Sequence, residues 1–357
     1  MGQDEKYLYE ARSKRIIVMQ SNICAKIAGL GISLPEQRLS NLDLEKIVDT
    51  SDEWITIRTG IKERRVAKKS DTLFELAIPA AVEALDQAKI KSSDLDLIIC
   101  ATSTADMAFP STACMIQRAL KGSTAPAFDI AAACSGFVYG LHIANNLIKA
   151  RSNKNILLIG SEIMSRIVDW KDRSTSILFG DGAAGVVIKG VSNDQDRNQG
   201  IIDSQIFSDG THYDYLMAGY RSGTYSNSVD PLVDDLYKDA ASFLTMKGNQ
   251  IFKIAIKSMS EVSLKIIEEN NFTIDDIDLV VPHQANIRIV QGIGKSLGIS
   301  DDKIFTNLDK YGNTSAASIP LALYEADRDG RLKQDALVLT VAFGGGFTWG
   351  ANLIRWN

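Results

Sequence analysis

Cysteine is scarce in this sequence, and its spacing forms no pattern. Cys24, Cys100, Cys114 and Cys134 include no CxxC pair, and none lies beyond position 134. That argues against a structural zinc site and against a disulfide framework, and fits a reducing compartment. Histidine is scarcer still, at three. Long apolar runs are missing: nothing approaches the roughly 18 residues of a membrane span. The opening stretch MGQDEKYLYEARSKRIIVMQ is charged, and its longest apolar run, IIVM, is too short for a signal-peptide core. An excess of positive charge is also absent. The net charge of −5 speaks against wholesale binding to nucleic acid or to an anionic membrane. The expected compartment is cytoplasmic, with residues 1–22 a poorly ordered N-terminal extension.

What is present is a chain of 357 residues, 45% hydrophobic and 23% charged, long enough for two fused halves. Two stretches echo each other. ELAIPAAVEALDQAKIKSSDLDLIICATST (75–104) and KIAIKSMSEVSLKIIEENNFTIDDIDLVVPHQAN (253–286) each run from helical spacing through a polar turn to a short buried-strand run. Downstream, CSGFVYGLHIANNLIKA, NILLIG and GDGAAGVVIKG are matched by GNTSAASIPLALYEADRDG, ALVLTVAFGGG and TWGANLIRW. Both halves therefore read as strand–helix–strand–helix–strand–strand, an α/β architecture with helix-covered sheets. Ligand sites in such folds lie beyond carboxyl strand ends and at helix N-termini. The candidates are ACSGF, PHQAN, GNTSAAS and FGGGF.

Cys134 opens a predicted helix, where the positive end of the helix dipole is expected to lower its pKa. The small residues around it leave room for a substrate. Taken alone, it reads first as a buried, inert thiol. His142 falls among apolar neighbours in that helix and reads as structural; His212 lies in a polar loop and reads as solvated. His283 differs: it follows DLVVP at a strand end. Asn313, in KYGNTSAAS, occupies the place in half two that the Cys134 stretch holds in half one, though GN alone is a turn signal. Gly344, Gly345 and Gly346 allow close backbone approach, so an N–H there can face a developing oxyanion. Together these groups offer a nucleophile, an imidazole, an amide donor and an oxyanion hole, a set suited to acyl transfer through a thioester.

At these residues the chain resembles the β-ketoacyl-acyl-carrier-protein synthase III family, from about residue 23 to 357. AACSGF, VPHQANIRI, GNTSAAS and AFGGGFTWG carry the likeness, with TSDEWITIRTGIKERR, AFPSTACMIQ and FGDGAAG. The resemblance implies a thiolase-like fold: two pseudo-equivalent βαβαβ halves, 23–195 with the nucleophile and 196–357 with the His and Asn, in a layered αβαβα sandwich. It implies the initiating condensation of type II fatty acid synthesis. Acyl-CoA, with acetyl the expected acyl group, would acylate Cys134. Malonyl-acyl-carrier protein would then decarboxylate, with His283 and Asn313 holding the enolate and the N–H groups of Cys134 and Gly346 holding the oxyanion. Neither a metal nor a cofactor is implied, because the CoA thioester is a substrate.

By the same likeness Trp54, Arg58 and Arg173 would meet the nucleotide end of CoA, and Gly248, Asn249, Phe252, Ala285 and Asn286 would line the pantetheine tunnel. Phe109 would close the acyl pocket across a homodimer contact. Lys253, Lys257, Arg288 and Lys295 would form a basic mouth for an acidic carrier, Lys253 and Lys257 sharing one helix face at a spacing of four. The stretch 207–245 looks longer than in typical members. A specialised quinolone or polyketide starter synthase shares all three central residues and is the nearest rival. A degradative thiolase needs a second cysteine in the C-terminal half. The order Cys134, His283, Asn313 matches papain-like proteases, but without their local sequence. A non-catalytic acyl-binding protein would be expected to lose one of the three.

Overall fold

The computed structural model describes residues 23–192, 199–219 and 243–356. The expected extension over 1–22, and residues 220–242 of the long stretch, lie outside the described residues.

Two sheets divide the chain by sequence. The first contains β1 (Ile23–Ser33), β2 (Leu97–Ala101), β3 (Ala127–Ile130), β4 (Asn155–Ile163) and β5 (Asp181–Ser192), in the order β1-β5-β4-β2-β3. The second contains β6 (Gly200–Ser208), β7 (Leu279–Pro282), β8 (Leu337–Gly344) and β9 (Thr348–Arg355), in the order β6-β9-β8-β7. The pairings match strand for strand. β1 and β4 flank β5 antiparallel, as β6 and β8 flank β9. β4 runs parallel to β2, as β8 does to β7. The halves differ at the edge: β3 pairs with β2 over four residues, whereas its counterpart shrinks to a single bridge between Val280 and Ile304.

The helices repeat likewise: α2 (Leu73–Ala88), α3 (Thr112–Ala119) and α4 (Gly136–Lys149) in half one, and α5 (Gly248–Glu269), α6 (Ile287–Leu297) and α7 (Ser318–Arg328) in half two, preceded by the short α1 (Asp52–Thr59). α2 and α3 cover the outer face of the first sheet, and α5 and α6 that of the second. α4 and α7 lie between the sheets, giving five layers. The spacing explains the middle layer. Phe137, Leu141 and Ile148 of α4, with Ile319, Leu323 and Ala326 of α7, bury fully into one core with Leu97, Ile99 and Leu158 of the first sheet and Val338 and Ala342 of the second. At roughly 1.5–3 kcal/mol for each large apolar side chain, this shared core holds the halves together.

Because both middle helices begin at the same end of the sandwich, the turns before them meet there. Gly344, at the end of β8, makes that meeting possible: a Cβ on it would lie 2.8 Å from the Cys134 nitrogen and 3.0 Å from that of Ser135. Gly60 plays the same part at the end of α1. It has φ 79°, and a Cβ there would fall 2.8 Å from the Cβ of Ile287, so glycine lets α1 close onto the start of α6.

Candidate active site

A cavity of about 900 Å³ opens at this end of the sandwich. Its buried wall holds Cys134, His283 and Asn313, which are 8%, 3% and 5% exposed. Three turns from both halves deliver them. Cys134 sits in a single 3-10 turn, Ala133–Ser135, and α4 begins at Gly136, two residues later than expected. The turn is tied to half two by the Ser135 hydroxyl donating to the Thr348 carbonyl at 2.8 Å and the Thr348 hydroxyl donating to the Ala132 carbonyl at 2.9 Å.

His283 leaves β7 with its N–H donating to the Val341 carbonyl at 2.8 Å. Gln284 fixes the turn after it: its amide nitrogen donates to the carbonyls of Pro282 (2.7 Å) and Phe305 (3.2 Å), and its oxygen accepts the Asn307 N–H at 3.0 Å. Asn313 is held by its backbone to Leu178 and Gly180. Its Oδ1 accepts the Ser315 N–H at 2.9 Å, which leaves the Nδ2 hydrogens as the donors of the amide.

Electrostatics follow from burial. The Cys134 thiol is pushed up to about 12, chiefly by desolvation, with the Ser315 hydroxyl pulling it down and the Glu162 charge pushing it further up. This corrects the expected acidity: the thiol sits in a buried turn ahead of the helix, and the loss of water raises it. Desolvation also drives His283 down to about 4, so its imidazole is neutral near pH 7, and its Nδ1 has no hydrogen-bond partner among the described residues.

The outer part of the cavity is cationic. Trp54 carries the Arg58 and Arg173 guanidiniums at 4.9 and 4.8 Å from its ring centroid. Arg288 lies 5.4 Å from the Phe252 centroid. Trp54, Arg58, Lys253 and Arg288 line the cavity together with Gly248, Asn249, Phe252, Ala285 and Asn286.

Residues 128–210 match the family model described as 3-oxoacyl-[acyl-carrier-protein (ACP)] synthase III, and residues 267–356 match its C-terminal model. A beta-ketoacyl-[acyl-carrier-protein] synthase III of Caldanaerobacter subterraneus subsp. tengcongensis is 46% identical over 339 residues, 95% of this chain and 100% of the relative. The chain belongs to the β-ketoacyl-acyl-carrier-protein synthase III family. Among solved structures, the synthase III of Aquifex aeolicus VF5 superposes with a TM-score of 0.84 at 47% identity, covering 93% of this chain and 100% of that one. A priming β-ketosynthase from the R1128 polyketide pathway has the same TM-score at 29% identity, covering 96% and 99%.

Within this synthase III chain several of the expected site residues lie off the cavity wall. Gly345, not Gly346, is the cavity-lining glycine of the run; Gly346 lies beyond it with φ 130°. Arg173 reaches Trp54 but is not part of the cavity wall, and its guanidinium donates to the Asp49 carbonyl at 2.9 Å. Lys257 and Lys295 are exposed on α5 and α6 away from the wall, with Lys257 3.9 Å from Glu261. Phe109 stands 86% exposed and outside the cavity. His142 bonds Ser204 at 2.9 Å, a structural role, whereas His212 is half-buried, with its ring stacked on Tyr215 at 4.6 Å.

Sequence reasoning passed over Ser103, Ser315, Gln284 and the buried Arg64. Ser315 and Gln284 lay inside the quoted motifs, and their polarity at a strand end was the available signal. Arg64, with no exposure, donates to the Leu39 and Ile177 carbonyls and to Asn41 Oδ1, joining the segment before α1 to the segment that carries Arg173.

Proposed function

We propose that the chain catalyses the initiating condensation of type II fatty acid synthesis, with Cys134 as nucleophile and His283 and Asn313 as the enolate-stabilising pair. The observation carrying this reading is the convergence of a buried thiol, a neutral imidazole and an oriented carboxamide on one cavity whose outer part is cationic. In the first half-reaction the Cys134 sulfur attacks the acyl-CoA carbonyl. The new S–C bond forms, the bond to the CoA sulfur breaks, and the thiol proton ends on CoA. With the thiol near 12, little thiolate exists beforehand, so the proton leaves as the bond forms. The neutral His283 ring is a fitting carrier for it. The oxyanion meets the N–H of Cys134 and the N–H at Gly346, just past Gly345.

In the second half-reaction the malonyl C–carboxylate bond breaks, CO₂ leaves, and the electron pair moves onto the thioester oxygen as an enolate. His283 and Asn313 donate hydrogen bonds to that oxygen, lowering the barrier where charge develops. The enolate carbon then attacks the acyl-Cys134 carbonyl, yielding the β-ketoacyl carrier and a thiolate that takes up a proton. Trp54, Arg58 and Arg173 would hold the CoA nucleotide. Lys253 and Arg288 would meet the carrier, with Lys257 and Lys295 extending the basic surface outward. Exposed Phe109, and Phe128 exposed on β3 at the sheet edge, support a homodimer in which Phe109 closes the partner's acyl pocket. The proposed compartment is the cytoplasm; among the described residues no helix is long and apolar enough to cross a membrane.

Identity of 46–47% to synthase III enzymes, against 29% to the polyketide priming enzyme, favours the fatty-acid role. The test is intact-mass measurement of acyl-enzyme over a panel of acyl-CoAs, followed by malonyl-carrier protein. A covalent acyl adduct that persists on Cys134→Ala refutes the nucleophile. A chain that condenses with malonyl-CoA but not with the malonyl carrier favours the starter-synthase reading.

A further inference from the structure

Behind the cavity wall lies a buried carboxyl that the reaction above does not use. Glu162, near the end of β4, has no solvent exposure. Its partners are neutral donors: the Ser103 N–H at 3.1 Å from each oxygen, and the hydroxyls of Thr104 at 2.6 Å, Ser315 at 3.0 Å and Thr102 at 3.3 Å. A carboxylate buried without a cation costs several kcal/mol, so it is a poor device for stability alone. Its donors converge as an acceptor-only group requires.

Ser315 links this carboxyl to the reaction centre. Its hydroxyl donates to Glu162 across the two halves, while its N–H donates to Asn313 Oδ1. Its backbone has φ 49°, a left-handed conformation that a serine keeps only where its surroundings hold it. Without the Ser315 N–H the Asn313 amide could turn over and present its oxygen, an acceptor, to an enolate oxygen that needs a donor.

We propose that Glu162 is a positioning residue for the enolate half-reaction: through Ser315 it fixes the Asn313 carboxamide with its N–H hydrogens toward the cavity. This rests on the reading of Asn313 as an enolate donor. The titratable groups on which the Glu162 charge acts are Cys134 on the nucleophile turn and Cys100 on β2, and it pushes both thiols up. Burial in turn pushes Glu162 up to about 7. Neutralising Glu162 therefore eases ionisation of Cys134, while the split between the two half-reactions and the Asn313→Ala background separate positioning from general loosening of the site.

The experiment compares wild type, Glu162→Gln, Asn313→Ala and the double variant in the full chain. Three quantities are read: acyl-enzyme formed from acetyl-CoA, CO₂ released from malonyl-carrier protein, and the pH profile of Cys134 alkylation. For Glu162→Gln the kcat of CO₂ release falls about 10- to 100-fold with little change in KM, acylation stays within about threefold, and the alkylation profile moves to lower pH. On the Asn313→Ala background the same change costs less than about threefold, because the residue through which it acts is gone. Equal loss in both half-reactions, undiminished loss on the Asn313→Ala background, or no loss overturns the proposal. Ser315→Ala carries the same expectations for CO₂ release should Glu162→Gln fail to fold. A wild-type chain that acylates but releases no CO₂ overturns the condensing reading, and this one with it.

Discussion

Ala133 and Ser315 share one backbone conformation, φ 46° and φ 49°, at matched positions ahead of α4 and α7. Both are left-handed, neither is glycine, and the two turns pack against each other at the head of the cavity. The duplicated chain thus repeats a strained turn and gives each copy a different cargo: Cys134 follows one, and Asn313 precedes the other.

That strain makes Ala133 sensitive to branching. Ala133→Val places a β-branched side chain in the left-handed region and should cost about 1–3 kcal/mol, with slower acylation of Cys134. Ala133→Gly fits the same dihedrals and should stay within about 1 kcal/mol of wild type. Chemical denaturation alongside acyl-enzyme kinetics distinguishes them; equal behaviour of the two variants contradicts the account.

The elevated Cys134 pKa predicts a simple alkylation profile. With the thiol near 12, iodoacetamide labelling of Cys134 should climb about tenfold per pH unit between roughly pH 6 and 9. A plateau near neutrality would mean that a formed thiolate, not a buried thiol, waits in the free enzyme.

His283 predicts an acid-side loss of stability. Its folded pKa, about 4, lies below the ordinary 6.5, so the unfolded chain binds more protons between those values. Stability is unaffected above about pH 6.5 and falls as pH drops from there toward 4, by an amount on the order of 3 kcal/mol. Glu162 acts in the opposite sense: raised to about 7, it favours the fold at low pH and loses that contribution as pH rises through 7. Unfolding curves for His283→Gln should therefore show a weaker decline between pH 6.5 and 4 than wild type; identical slopes would contradict the buried, neutral imidazole.

The Trp54 ring and its two guanidiniums predict a split by substrate size. Trp54→Ala or Arg173→Ala should raise KM for acyl-CoA by roughly 2- to 30-fold, the range expected for contacts worth about 0.5–2 kcal/mol. Acyl-pantetheine, which lacks the nucleotide, should react at the wild-type rate. An equal loss with both substrates would move these residues from CoA binding to general architecture.

The repeat was legible because apolar periodicity encodes it twice, and the strand pairs β4/β5 and β8/β9 follow it closely. The meeting of Cys134, His283 and Asn313 on one cavity was legible because each sits at a strand end or ahead of a helix. What escaped depends on three-dimensional burial. The acidity expected of Cys134 failed because water is excluded from a turn that, in sequence, looks like an open helix start. Glu162 escaped because one carboxyl ending an apolar strand carries no periodic signal, and its partners lie as far as 153 positions away. The loss of a full partner for β3 in half two, reduced to the Val280–Ile304 bridge, was invisible for a related reason: a single bridge leaves no pattern.

The middle layer finally bears on how the chain can be divided. α4 and α7 bury their apolar faces in one core to which both sheets contribute. A backbone break within 193–198 would yield two fragments, each with an orphaned helix face. One would own the sulfur; the other would own the imidazole and the amide. Neither fragment could catalyse either half-reaction in full, yet their shared core gives them every reason to reassociate. In that sense the synthase behaves as a tethered heterodimer, and a split pair that regains activity only on co-expression is the form that sense would take in the laboratory.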